Sequence, residues 1–101
     1  MLYMCVVTHS PNFCPMVNKD SRAKYFSAAK EGPSVAKSLG ITIQGGWTNE
    51  LIHTTYALVD APNAHAITQY LSNTHFLDWN TVVVNPVYTR EEVAAQIQKL
   101  A

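Results

Sequence analysis

The chain has 101 residues, 48% of them hydrophobic and 14% charged, with seven basic and seven acidic side chains and a formal net charge of zero. A chain this short supports one core, so a single domain over residues 1–101 is expected, and a charged share well under the usual value of about 25% points to surface hidden in an oligomer. No basic stripe speaks for nucleic acid. The apolar opening from Met1 to Val7 is too short for a membrane span and lacks the basic flank of a leader, so a cytoplasmic protein with no membrane partner is expected. In such a compartment the two cysteines, Cys5 and Cys14, are expected to stay as thiols.

Leu2 to Thr8 is apolar and β-branched and runs into His9-Ser10-Pro11-Asn12, which predicts a buried strand followed by a loop through Phe13-Cys14-Pro15. The spacing of Ala23, Phe26 and Ala29 predicts a helix from about Asp20 to Glu31. Gly32-Pro33 is expected to break it. Ser34 then caps a short continuation from Val35 to Leu39 that stops at Gly40. Ile41 to Trp47 is the second strand, with Gly45 and Gly46 marking a bulge or a close backbone approach. After a turn at Thr48-Asn49-Glu50, Ile52 to Val59 is the third strand, so strands two and three form a hairpin. Asp60 is expected to cap a second helix carrying Ala64, Ile67 and Leu71 on its apolar stripe and ending near Asn73. Thr81 to Tyr88 is the fourth strand, with Pro86 favouring a sheet edge. Thr89 to Glu92 is a capping box opening a last helix with Val93, Ile97 and Leu100 on one side.

The order β-α-β-β-α-β plus a C-terminal helix predicts an α+β fold of the ferredoxin-like kind: an antiparallel sheet, helices on one face, strand one beside strand three. The other face needs a cover. A second copy of the chain is the economical one.

On the opening MLYMCVVTHSPNFCP, the segment LGITIQGGW, the run IHTTYALVDAPNAHAITQYL and the ending VVVNPVYTREE, the chain resembles the dimeric α/β-barrel superfamily, and within it a group of small bacterial and archaeal proteins. The resemblance implies ferredoxin-like domains paired sheet to sheet as a homodimer. Relatives by fold include cofactor-free monooxygenases, haem-degrading oxygenases, haem peroxidases and lactone isomerases, so the fold leaves the chemistry open.

The chemistry must therefore come from side chains. His9, His53, His65, His75 and Cys14 are the candidates for ligation or acid/base work near neutral pH. In the inferred topology His9 ends strand one, His53 lies near the start of the neighbouring strand three, and Cys14 sits in the loop leaving the same end. Two imidazoles and a thiolate suit Zn, Cu or Fe, and three protein ligands with a free fourth position form a reactive site; His75 is the candidate fourth ligand. A Cys-Pro thiolate could also hold haem iron, but a single ion ranks above haem. Weighed against the metal is a plainer reading, in which His9 and His53 are cross-strand neighbours satisfied by backbone or water and Cys14 is a small buried residue. Trp47, Tyr56 and Trp79 are candidate walls of a ligand pocket, although aromatics on strands usually just pack. His65 is expected in solvent, Cys5 in the core, and Asp60 and Glu92 as caps. No phosphate loop, nucleophile elbow or paired-carboxylate signature is present, and no catalytic residue is assigned.

Three functions compete on this reading. The first is a metal-binding dimer acting as an oxidoreductase, sensor or carrier. The second is a cofactor-independent monooxygenase- or isomerase-like enzyme on a small organic molecule, with His9 or His53 as general base. The third is a non-catalytic ligand-binding or assembly module.

Overall fold

The computed structural model describes residues 1–101. Four strands, β1 (Leu2–Thr8), β2 (Thr42–Asn49), β3 (Thr54–Asp60) and β4 (Thr81–Val87), form one antiparallel sheet in the order β2-β3-β1-β4. Three helices, α1 (Lys19–Ser38), α2 (Ala64–Asn73) and α3 (Arg90–Gln98), complete an α+β arrangement compatible with the ferredoxin-like fold. As expected, β4 is an edge strand and Pro86 lies within it. No helix is long and apolar enough to cross a membrane.

Side chains alternate across the sheet, and the register shows which residues share a face. Tyr3, Cys5 and Val7 of β1 lie opposite Val59, Ala57 and Thr55 of β3 and Pro86, Val84 and Val82 of β4. This face meets α1 and α2, and its core holds Tyr3, Cys5, Ala36, Ile41, Val59, Ile67 and Leu71. The opposite face carries Met4, Val6, Leu58, Tyr56, Val83 and Trp47. It has no helix over it, and Trp47 and Val83 are exposed.

Three local expectations are corrected. Gly32-Pro33 does not break α1, which runs through both residues as one helix of 20 residues. Gly32 is buried, and a Cβ there would sit 3.0 Å from the Tyr70 hydroxyl. The glycine thus lets α2 approach α1, and that packing outweighs the poor helix propensity of the pair. The start of α1 is capped by Asn18, whose side chain accepts from the Ser21 amide at 3.0 Å. Its end is a Schellman motif: Gly40 has φ +70°, its amide bonds Lys37 O, and the Ile41 amide bonds Ala36 O at 2.9 Å.

Asp60 is a strand residue, paired with Leu2 and Thr42, and the cap of α2 is Asn63, whose side chain accepts from the Ala66 amide at 2.9 Å. The third strand begins later than expected. Glu50–Ile52 form a 3-10 turn, so β3 opens at Thr54 and His53 stands just before it. The bulge in β2 falls between Ile43 and Gly45, where the tip of the Trp47 ring crowds the glycine.

The capping box of α3 is present, with Glu92 and Thr89 bonding reciprocally. Its apolar stripe is not buried: Val93, Ile97 and Leu100 are all exposed, and α3 has no buried residue.

Candidate metal centre and adjoining cavity

β1 ends at Thr8 and β3 begins at Thr54, which pair with each other, so the next residues outward, His9 and His53, meet at the same rim of the sheet. The His9 amide bonds the His53 carbonyl at 3.3 Å, and the two rings stand edge to face with centroids 5.2 Å apart. Cys14 follows the 3-10 turn Pro11–Phe13 and is buried. Its amide bonds Pro11 O, and its carbonyl accepts from the Val17 and Asn18 amides, so the backbone carrying the thiol is held by its own turn. Asn18 also bonds Asn12 O, and Arg22 donates to Pro15 O at 2.9 Å and Met16 O at 3.2 Å. These contacts pin the loop to the first turn of α1.

The result is a group of three. Donor atoms of His9, Cys14 and His53 all lie within 4.8 Å of one another.

Hydrogen bonding fixes which imidazole atom of His9 is free. Asn80 donates through Nδ2 to Phe76 O at 3.1 Å, so its Oδ1 faces His9 Nδ1 at 3.3 Å and can only accept. His9 Nδ1 therefore carries the proton, and Nε2 presents a lone pair when the ring is neutral. Nε2 is buried without a partner, and so is His53 Nδ1. A buried polar atom left unpaired costs about 1–3 kcal/mol, and two in one cluster call for something to satisfy them. The group could hold a metal ion, and the Asn80–His9 bond is of the kind that orients an imidazole ligand from outside. Trp79 closes the group, its ring 5.4 Å from His9 and its Nε1 likewise buried and unpaired.

His53 is also strained. Its φ of +50° is left-handed, a conformation that costs a non-glycine residue about 1–2 kcal/mol. The conformation closes the 3-10 turn Glu50–Ile52, with the His53 amide bonding Glu50 O at 3.4 Å, and it sets the imidazole against His9 at the mouth of β3.

A family model described as "Domain of unknown function (DUF3303)" matches residues 1–101. The chain belongs to the DUF3303 family. No curated protein matches it. That description names no reaction or ligand, so the reading of this DUF3303 domain rests on its residues.

Of the expected site residues, His9, Cys14 and His53 come together. His75 does not join them: it is exposed and its Nδ1 bonds the Asp78 carboxylate at 3.1 Å, which Lys24 also pairs at 3.3 Å. Partial desolvation works to raise the Asp78 pKa, but the hydrogen bonds and charges of Lys24 and His75 outweigh it and hold the carboxyl below its ordinary value. His75 occupies the position just past the end of α2, with φ +63°, where its amide bonds Ser72 O; the turn that ends the helix aims its ring away from the rim. His65 is exposed, as expected. Cys5 lies in the core, where burial pushes its thiol pKa up.

The three aromatics expected around a pocket are divided between the faces. Trp79 borders a cavity of about 660 Å³ between the sheet and α1 and α2, whereas Trp47 and Tyr56 pair across β2 and β3 on the open face. The floor of the cavity is apolar, with Val59, Ile67 and Leu71 among its residues, and His9 and Asn80 border it too. The cavity opens to solvent past the exposed Arg22, Tyr25 and Phe26, so water reaches it, and water against apolar walls is readily displaced.

Two residues in this region escape a reading of sequence alone. Asn80 becomes visible only with the β1–β4 register, which continues from Thr8 and Thr81 to place it across from His9. Arg22 looks like one more surface charge on α1 until its bonds to the Cys14 loop are seen.

Proposed function

We propose that this DUF3303 domain is a small-molecule-binding metalloprotein, in which His9, Cys14 and His53 would hold a Zn, Cu or Fe ion beside the cavity that His9 borders. The observation that carries the reading is the meeting of one donor atom each from His9, Cys14 and His53 within 4.8 Å of one another, in a group where His9 Nε2 and His53 Nδ1 are buried without a partner. Three protein ligands leave a coordination position for water or substrate, the arrangement of a reactive rather than a structural site. The ion would supply Lewis acidity or, for Cu or Fe, electron transfer, and the buried, unpartnered Trp79 Nε1 is a spare donor on a ring that packs on His9. We further propose that a second copy covers the open face formed by Met4, Val6, Trp47, Tyr56, Leu58 and Val83, as the low charge of the chain and the resemblance to the dimeric α/β barrels support.

Elemental analysis of protein purified without chelators, beside its Cys14→Ala variant, tests the metal. A near-stoichiometric transition metal that disappears in the variant is expected. Metal-free, fully folded wild-type protein that also fails to take up added Zn(II), Cu(II) or Fe(II) would overturn the reading. It would leave His9 as a general base beside the cavity.

A further inference from the structure

The cavity differs sharply between its floor and its mouth. Val59, Ile67 and Leu71 on the floor are buried, whereas Arg22, Tyr25 and Phe26 at the mouth are exposed. Those three stand at i, i+3 and i+4 on α1 and so share one face of the helix. Exposed aromatics over an apolar space mark a surface that gains from being covered.

Arg22 adds a charge of one sign to that mouth. Backbone carbonyls of Pro15 and Met16 hold its guanidinium in place, and its charge is unpaired: the ion pairs of the chain engage the N-terminus, Lys24 and His75, never Arg22. Glu50 also borders the cavity and lies outside ion-pair range of the arginine. An oriented cation without a carboxylate partner, over an apolar space of drug-sized volume, is the pattern of a site that takes an apolar body with one anionic end.

We infer that the cavity binds a small, mainly apolar organic acid, its hydrocarbon part against Val59, Ile67 and Leu71 and its carboxylate at Arg22. This goes beyond the metal reading and does not require it, because none of these contacts involves Cys14 or His53. Where the metal is present, the same pose brings the acid to the His9 side of the cavity.

The probe is a matched pair, 2-naphthoate and the uncharged 2-naphthamide, titrated calorimetrically into wild-type protein and into the Cys14→Ala variant. Naphthoate is expected to bind at least tenfold more tightly than the amide in both proteins. In Arg22→Gln that preference should vanish through weaker naphthoate binding alone, while Arg22→Lys restores most of it and Glu50→Gln keeps or increases it. Methyl NMR locates the probe even if a variant folds poorly: shifts should fall on Val59, Ile67 and Leu71, and not on Val6, Leu58 and Val83 across the sheet. Equal affinities, no binding of either compound, or shifts confined to the open face would each overturn the inference. Loss of the preference only in Cys14→Ala would show that the anion is recognised by the metal centre instead of by Arg22. A metal-free wild-type protein that still prefers naphthoate would sink the metal reading and leave this one standing.

Discussion

Two histidines of this chain adopt the left-handed conformation, and their surroundings could hardly differ more. At His75 the positive φ belongs to the end of α2, the ring lies in solvent, and its nitrogen meets Asp78, which Lys24 also binds. At His53 the positive φ likewise closes a turn, the 3-10 turn Glu50–Ile52, but the ring is packed against His9 and Nδ1 is buried with nothing to bond. Both regions gather titratable groups. Only one leaves lone pairs unsatisfied beside a buried thiol, and that shortfall, more than the clustering of polar residues, marks the rim as a site.

The contrast should be widest in the response to metal. A ligand present at about 1,000 times its Kd stabilises the native state by about 4 kcal/mol, and in a domain of this size each kcal/mol raises Tm by roughly 4–8 °C. Melts of chelator-treated protein with and without added Zn(II) should therefore separate by more than about 15 °C for wild type and for His75→Ala. For His53→Ala the two curves should nearly coincide. Equal shifts in the two variants would erase the distinction between the histidines.

Asn80 gives the next largest effect. It supplies no ligand atom itself and acts by accepting from His9 Nδ1, which fixes the His9 ring. Outer contacts of this kind are worth about 10–100-fold in metal affinity. Competition against a chromophoric chelator should show Asn80→Leu weakened within that range, with far-UV circular dichroism unchanged. Affinity equal to wild type would mean that the His9 orientation does not depend on Asn80.

How much of this was legible beforehand follows from which interactions are local. Strand order, the hairpin, the capping box of α3 and the meeting of His9, Cys14 and His53 follow from periodicity and turn residues, because sheet topology leaves few places for a strand end to go. The continuity of α1 through Gly32-Pro33 was not legible: it depends on Tyr70, 38 positions along the chain, packing against a glycine. His75 looked like a fourth ligand because it precedes β4 at the correct end of the sheet. The two extra degrees of freedom that sequence leaves open there, the φ of the residue and the competing Asp78 three positions on, send its ring elsewhere. The split of Trp79 from Trp47 and Tyr56 depends on register and on the bulge in β2, and a one-residue slip moves a side chain to the other face.

Glycine substitutions probe the backbone half of the comparison. His53→Gly removes the left-handed penalty and an unpaired buried nitrogen together, so the metal-free protein should gain about 1 kcal/mol in urea unfolding while losing its response to metal. His75→Gly, at a position past the helix end where glycine is favoured, should also gain stability but keep that response. Loss of stability in metal-free His53→Gly would mean that packing of the ring on His9 outweighs the strain.

The smallest expected effect is electrostatic and belongs to the His75 side. Desolvation works to raise the folded-state pKa of Asp78, but the combined hydrogen bonds and charges of Lys24 and His75 outweigh it and hold the pKa below its ordinary value of 3.8. A carboxylate depressed in the native state binds fewer protons folded than unfolded, so its contribution is present above pH 3.8 and fades as the pH falls through the folded-state value. Asp78→Asn should therefore lower the neutral region of a stability-versus-pH curve slightly and converge on wild type at low pH, which flattens the acid limb. The change should shrink further in high salt, because the pair is exposed and surface charges are screened. Metal uptake should not move at all in this variant. If it did, the two histidine neighbourhoods would be coupled through α1, whose Lys24 reaches Asp78 and whose Arg22 reaches the Cys14 loop.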